Sequence, residues 1–512
     1  MRRVKPGIVA LFLLIVGSAL ALAQERPLRV VGPWEIAGLE TTQSGYVFGR
    51  MQVGETLTTV DDKGQIVPHL AKTWDVSADG LTWRFTLRQG TKFHDGTLLS
   101  ADSAARSLST ARSGAGILAR APIETISADG NEVVVFKLKA PFASLPAFVA
   151  NYTTIVLAPS SYDAAGKTVA IIGTGPFKVT TLTPPLKVEV ARFDDWWGGK
   201  VGIAAASYLA AGQGETRALM AESGEADVVI SILPVSLDRL KRNPNLDVKV
   251  TTVPRTRMLK LNAGGPFFAD VRVRRAISLA IDRFGLAKAI LRNGDMAANQ
   301  LFPPTLAGWH VHGLAPPERR SEAAKKLLAE AGWKPGSDGI LEKDGRKFTV
   351  TVRTFATWPE LPALATAMQA QLKEVGIDLK VSVGNSSEIV AGHRDGSLDI
   401  GFASRNFSLV PDPLGTMLED YGPKGGDWGA MGWSNNEMQD LFQKLNVVAN
   451  PAEREPLQKR IATILQDELP VIPVSWVELA MVSNKRVTGM KLDPFELSYH
   501  LSSIRWTKEA GK

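Results

Sequence analysis

The chain has 512 residues, 45% hydrophobic and 22% charged, an ordinary globular balance with enough core for two or three domains. Cysteine is absent, which excludes thiol catalysis, cysteine-based zinc sites, iron–sulfur clusters and a lipid carried on an N-terminal cysteine. The net charge of +7 falls to +4 once Arg2, Arg3 and Lys5 are set aside, and no Lys/Arg run concentrates it, so nothing supports a nucleic-acid partner.

Residues 1–23 read as a secretory signal peptide. Arg2, Arg3 and Lys5 form a basic start, residues 8–20 are apolar or small without a charge, and Ala21-Leu22-Ala23 makes an A-x-A cleavage site before Gln24. The apolar run is too short for a transmembrane helix. The mature protein is expected free in the periplasm, with no lipid anchor. Residues 27–32 are predicted as a strand, 34–43 as a loop, and 46–57 as a helix with Val47, Met51 and Gly54 on one face.

The stretch 70–102 is the least random part of the sequence. Trp83, Phe85 and Leu87 alternate with polar residues, the period of a half-buried strand. Asp79-Gly80 supplies the turn of a hairpin with the Trp74/Val76 segment, and Asp95-Gly96 a second turn. Ser100 stands at a helix N-cap with Asp102 in the first turn; with Ser at 103 the capping box is expected to be incomplete. His94 and Asp95 do not form an acid–base pair, because neighbours on a strand end point to opposite faces.

Thirteen residues here, Trp74, Ser77, Asp79, Gly80, Phe85, Leu87, Arg88, Gly90, Phe93, Asp95, Gly96, Ala101 and Asp102, stand in the order of a signature. In them the sequence resembles the family 5 extracellular solute-binding proteins, the peptide/nickel-type receptors of ABC importers. The resemblance continues through Gly173-Thr174-Gly175-Pro176-Phe177, the loop with Trp196 and Trp197, Gly224-Glu225-Ala226-Asp227, and the helix 270–283. Asp270 caps that helix, and Val273, Ala276, Ile277, Ala280 and Ile281 form its apolar face. Two nucleotide-loop look-alikes fail: the G-x-G at 173–175 lacks a third glycine, and Gly166-Lys167-Thr168 has Ser161 where a Walker loop needs glycine.

Further on, residues 321–331 are predicted helical with Gly332 behind them, 347–354 a strand, 361–375 a helix stopped by Gly376, 377–383 a strand, 451–469 a helix and 471–483 an apolar strand. Such alternation predicts an α/β fold with a largely parallel sheet. The resemblance implies a two-lobed periplasmic-binding-protein fold of type II, the large cluster C kind, with an extra subdomain in lobe I. Lobe I is expected at 24–257 with the insertion at about 43–171, lobe II at 258–475, and a return to lobe I at 476–512. The strands crossing between lobes are placed near 253–261 and 471–477.

Two lobes on a hinge make a cleft that closes over a ligand. In peptide-binding relatives an Asp after the strand at 399–406 pairs with the peptide amine; by position this chain has Arg405, followed by Asn406 and Phe407, and then the matching Asp412-Pro413. The reversed charge implies a ligand with a carboxylate or similar anion, anchored by Arg405, with Arg50 and Arg112 as alternatives on the opposing lobe. In nickel-type relatives arginines clamp the carboxylates of a metal chelate, where this chain has Tyr152 within 151–155. Tyr46, Asn385 before a helix N-terminus, Trp428 and Trp433 complete the candidates for the cleft. The histidines are dispersed apart from His310-Val311-His312, so no metal site or cofactor is expected. The function implied is the solute-binding component of an importer, a monomer serving a two-subunit permease driven by ATPases. A receptor for a nickel or other metal chelate is the alternative. A secreted hydrolase is remote, because G-x-S-x-G and H-E-x-x-H are both missing.

Overall fold

The computed structural model describes residues 26–507 except 115, 315–317, 357 and 409. The expected signal peptide and its expected cleavage point lie outside the described residues. Strand β1 (Leu28–Gly32) leads into helix α1 (Thr41–Arg50), and the alternating stretch folds as the hairpin of β2 (Ala71–Val76) and β3 (Thr82–Leu87), with Trp74 opposite Phe85. Trp83, Phe85 and Leu87 are buried, and Gly80 adopts φ +71° in the turn. Helix α2 (Ala101–Ser113) packs on the sheet that β2 and β3 share with β4 (Ile123–Asp129) and β5 (Val133–Leu138), around Phe93, Leu108, Phe136 and Phe148.

Two local expectations are corrected. The capping box of α2 is complete: the Ser100 amide donates to Ser103 Oγ at 3.0 Å and the Ser103 amide to Ser100 Oγ at 3.2 Å. A serine hydroxyl at N3 accepts the cap amide as a Glu carboxylate would. The helix expected at 46–57 lies instead at Thr41–Arg50. It stops because the Gln52 and Val53 carbonyls are needed by the turn at 173–177: the Gly175 amide donates to Val53 O at 3.1 Å. A Cβ on Gly173 or Gly175 would sit 2.2 Å from those carbonyl oxygens, so the close approach requires glycine.

Nine further strands join β1 in one sheet: β6 (Phe177–Thr183), β7 (Lys187–Arg192), β8 (Ala205–Ala210), β9 (Val228–Ile230), β10 (Leu246–Leu261), β11 (Thr349–Phe355), β12 (Asp378–Gly384), β13 (Ile400–Asn406) and β14 (Val471–Asn484). Their order is β12-β11-β13-β10-β14-β9-β1-β8-β7-β6. The sheet is mixed, where a largely parallel one was expected. Parallel pairing holds within each half, β8-β1-β9 and β12-β11-β13, but β10 and β14 run antiparallel to each other and to β13 and β9. The reason is topological: one long strand leaves the first half and the other returns to it.

β10 and β14 pair from Leu246↔Asn484 to Lys260↔Val471, with a bulge between Val253 and Thr256. Pro254 sits in that bulge and has no N–H for the ladder. On one side Val253, Leu479 and Met481 join a core with Leu28, Phe48, Phe177 and Tyr208. On the other, Leu259, Ile472 and Val474 join a separate core with Ile277, Phe348, Leu364 and Phe402. Asp270 caps its helix through the Arg272 amide, and the apolar face read from the sequence is buried.

Glu55 ties distant segments together. Its carboxylate accepts from Thr174 Oγ1 (2.7 Å), Trp196 Nε1 (3.0 Å) and Trp197 Nε1 (2.9 Å), and His69 Nε2 lies at 3.4 Å. Burial opposes its ionisation, but the bonds from His69, Trp197 and Thr174 outweigh burial and hold the carboxyl below its ordinary range. Glu55→Gln turns an acceptor toward donors with an amide nitrogen. It is expected to cost about 2–4 kcal/mol in urea unfolding at pH 7. A carboxyl depressed in the folded state gives stability that is present above pH 4.5 and lost as the pH falls through the folded value. The variant should lose that part of the acid dependence; an unchanged acid limb would show that Glu55 does not carry it.

Candidate functional site

The parallel strands of both halves aim their carboxyl ends at the same place. β9 ends where Ile230 faces Met481, short of the bulge at 253–256, and β13 comes from the opposite direction and ends inside the bulge, where Asn406 faces Arg255. Ligands of α/β sheets bind beyond such carboxyl ends, and here two sets face each other across the crossing strands. The loop after β1 brings Trp34 to this edge, and the segment after β11 brings Trp358.

Charged groups converge there in pairs. Arg255 Nη2 lies 2.8 Å from Glu496 Oε2, and its guanidinium carbon 5.2 Å from the Trp358 ring. Arg257, buried, pairs with Glu360 at 2.6 Å. Arg120 and Glu419 meet at 2.6 Å, and Ser144 Oγ donates to Asp412 Oδ2 at 2.6 Å; both contacts join the β2–β5 subdomain to the segment after β13.

Arg405 belongs to this pattern. Its Nε and Nη2 donate to the two oxygens of Asp420, at 2.5 and 3.1 Å, and Nη2 lies 3.3 Å from Glu419. Asp420 is fully buried, and the amine of Lys260 beside it donates to the carbonyls of Gly426 and Asp427. Burial pushes the Asp420 carboxyl up to about 6, with the Arg405 guanidinium restraining the rise. Burial likewise pulls the Lys260 ammonium down to about 7 against the attraction of Asp420 and Asp427.

The other sequence candidates separate into two groups. Tyr46, Arg50 and Tyr152 come together: the two phenol rings meet edge to face at 5.7 Å, and the Arg50 guanidinium carbon stands 5.6 Å from Tyr46 and 3.9 Å from Trp34. Tyr46 donates to the Glu35 carbonyl. The rest do not join this cluster and are engaged by other parts of the chain. Arg112 gives Nη1 and Nη2 to the carbonyls of Glu124 and Ile123. Asn406 Oδ1 accepts from Ser408, and Phe407 is buried against Phe302. The Asn385 amide donates to Glu388, which puts a carboxylate of the chain at that helix start. Trp428 packs beside Ile389 and Met431, and Trp433 Nε1 donates to Glu468. His94 accepts from the Gly173 amide at 3.2 Å and its other nitrogen lies 2.9 Å from Gly175 O, while Asp95 turns to Thr97 and Ser160. Among the described residues no group of three or more His, Asp or Glu is placed to hold a metal ion. Sequence reasoning missed Trp34, Asp420, Glu496 and Tyr499, which stand in no recognisable motif; the Asp493-Pro494 turn signal was the one hint at the last two.

Two lobes facing across paired crossing strands, with a third core inserted, define a two-lobed binding protein of type II. Residues 65–428 match the model of the bacterial extracellular solute-binding proteins, family 5 middle, and the chain belongs to that family. It is 26% identical over 477 residues to the nickel-binding periplasmic protein of Escherichia coli K12, covering 90% of this chain and 91% of that one. It is 25% identical over 455 residues, 83% of each chain, to the glutathione-binding protein GsiB of the same strain. NikA from Brucella suis, solved in complex with Fe(III)-EDTA, superposes with a TM-score of 0.85 at 25% identity, over 94% of this chain and all of that one. Members of the family are transport-associated binding proteins that take up small-molecule or peptide ligands and work with ABC permease components, and this chain is such a solute-binding component. Among the described residues no helix is long and apolar enough to cross a membrane.

Arg405→Ala leaves buried Asp420 without its cation and is expected to cost about 2–4 kcal/mol in urea unfolding at pH 7. The folded state holds the Asp420 proton more tightly than the unfolded chain, with its 3.8, does. The stability from that proton is therefore present below pH 3.8 and lost as the pH rises through about 6, by about 3 kcal/mol in all. Asp420→Asn should remove this decline between pH 4 and 6, and a decline that persists in the variant assigns it to another group.

Proposed function

We propose that the protein captures a small carboxylate-bearing solute, a peptide-like compound by preference, between its lobes in the periplasm and hands it to a two-subunit permease driven by ATPases. In this reading residues 1–23 are removed, lobe I is 24–257 with its insertion at about 43–171, lobe II is 258–475, and 476–512 return to lobe I. The protein acts as a monomer without a lipid anchor, and it turns nothing over. The observation that carries the reading is the meeting of two sets of strand carboxyl ends across one bulged pair of crossing strands. The charged side chains there are paired within the chain, but Arg50 has no carboxylate partner among the described residues, and that unanswered cation favours an anionic ligand. Arg405 enters as a paired group: a ligand carboxylate taking its whole fork would strip Asp420 of its counter-charge, so a contact through Arg405 falls on Nη1, outside that pair.

The second reading, a receptor for a metal chelate, is favoured by the nickel-binding relative and by the Fe(III)-EDTA complex of its structural neighbour. A chelate presents carboxylates to the same cation. Native mass spectrometry of periplasmic material separates the two, since a peptide and a metal complex differ in mass and isotope pattern. The mature mass should start near Gln24. Adding the co-purified solute back to stripped protein should reduce the radius of gyration in small-angle scattering, as two lobes close about the hinge. An unchanged radius at saturation rules out capture by closure.

A further inference from the structure

Arg50 ends α1 with its guanidinium carbon 3.9 Å from the Trp34 ring, and its Nε donates to the Glu496 carbonyl at 2.6 Å. No carboxylate among the described residues pairs with it; the nearby Glu496 carboxylate belongs to Arg255. Its Nη1 is buried without an acceptor. The Tyr499 side chain is 95% buried, being 5% exposed, and its hydroxyl, which lies within reach of the Arg50 guanidinium and of Tyr208, donates to no acceptor of good geometry. Both residues line one narrow recess of about 10 Å³, room for a single oxygen-sized group, with Trp34, Leu479 and Met481 as apolar walls and Lys491 adding a second cation. The two carboxylates in the lining are already engaged: Glu496 by Arg255, and Asp493 by the amides of Phe495, Leu497 and Ser498.

A buried guanidinium N–H and a phenol hydroxyl without acceptors are rare in folded proteins, because each has surrendered hydration for nothing. One oxyanion head group satisfies both, and it also supplies the counter-charge that Arg50 lacks. We propose that Arg50 and Tyr499 form an oxyanion subsite in the lobe I wall of the cleft, taking a carboxylate of the solute. The subsite rests on the interlobe reading above and assigns its charged anchor. The Trp34 face keeps the guanidinium flat and shielded from water, which strengthens its bond to an anion.

The probe is sodium acetate, with acetamide as its neutral counterpart and ionic strength held constant with sodium chloride. Thermal melting and tryptophan fluorescence report on it, the latter because Trp34 stacks on Arg50. Acetate should raise the melting temperature of the mature protein and change its fluorescence saturably, and acetamide should do neither. Arg50→Gln should abolish the response, and Tyr499→Phe should weaken acetate binding about tenfold while leaving the fold intact. Arg50→Lys should keep part of it, since a point charge cannot form the fork. If acetate does no more than acetamide, the recess holds water only and the proposal falls. An acetate response that survives intact in both Arg50→Gln and Tyr499→Phe places the anion elsewhere and also overturns it. Closure with the co-purified solute in scattering is read independently, so the cleft can stand where the subsite fails.

Discussion

The long antiparallel pairing of β10 with β14 is the constraint on which the rest depends. These strands belong to both cores at once, so neither half can shift in register without breaking a ladder that runs through the other. The ladder is interrupted at two neighbouring places, between Val253 and Thr256 around Pro254, where a proline cannot donate, and between Arg257 and Met258. The bulge there gives the strands a bend point between two well-packed halves. Because β10 leaves the first half of the sheet and β14 returns to it, each half keeps its own parallel strands pointing at that bend. The cleft is therefore a consequence of connectivity before any side chain is considered.

Around this frame, buried charge is matched with care. Arg283 is fully buried yet gives its nitrogens to the Pro473 and Ser278 carbonyls and the Ser278 hydroxyl, and burial alone lowers its guanidinium to about 10. Arg257 with Glu360, Arg255 with Glu496 and Arg405 with Asp420 are pairs made inside the chain. Such pairs add little net stability, since desolvation cancels much of their attraction, but removing one partner is costly. Their effect is to fix the positions of side chains at the facing edges. Arg255 Nε and Arg257 Nε are buried without an acceptor as Arg50 Nη1 is, but Arg50 differs from these three pairs in having no carboxylate partner among the described residues.

Glu55 explains why the recognisable sequence segments lie so far apart. His69 precedes the hairpin, Thr174 lies in the glycine-rich turn, and Trp196 and Trp197 lie in the loop beyond; all four meet one buried carboxylate. The signature is a set of separate pieces because each piece contributes a donor or a close backbone approach to the same point. His94 does the same with the turn's backbone. These residues hold separate segments of the chain together through bonds within the chain, which is why the most recognisable part of the sequence says least about the solute.

By itself the sequence determined what depends on local periodicity and short-range chemistry. The β2–β3 hairpin followed from alternation at Trp83, Phe85 and Leu87, the helix after Asp270 from its cap and apolar face, and the family from residues whose spacing is kept by tight turns. Tertiary structure decided what depends on competition between distant partners. Helix α1 ends at Arg50 because the Gln52 and Val53 carbonyls are taken by a turn more than a hundred residues away. Arg405 is recognisable as a cation by position, yet only folding brings Asp420 to it, on a helix after the next loop. Arg50 and Tyr499 are 449 positions apart, and no pattern in either neighbourhood marks them as members of one recess. A residue's charge and propensity are written in the chain, but whether that charge is already answered is settled by burial and by the partner that packing delivers.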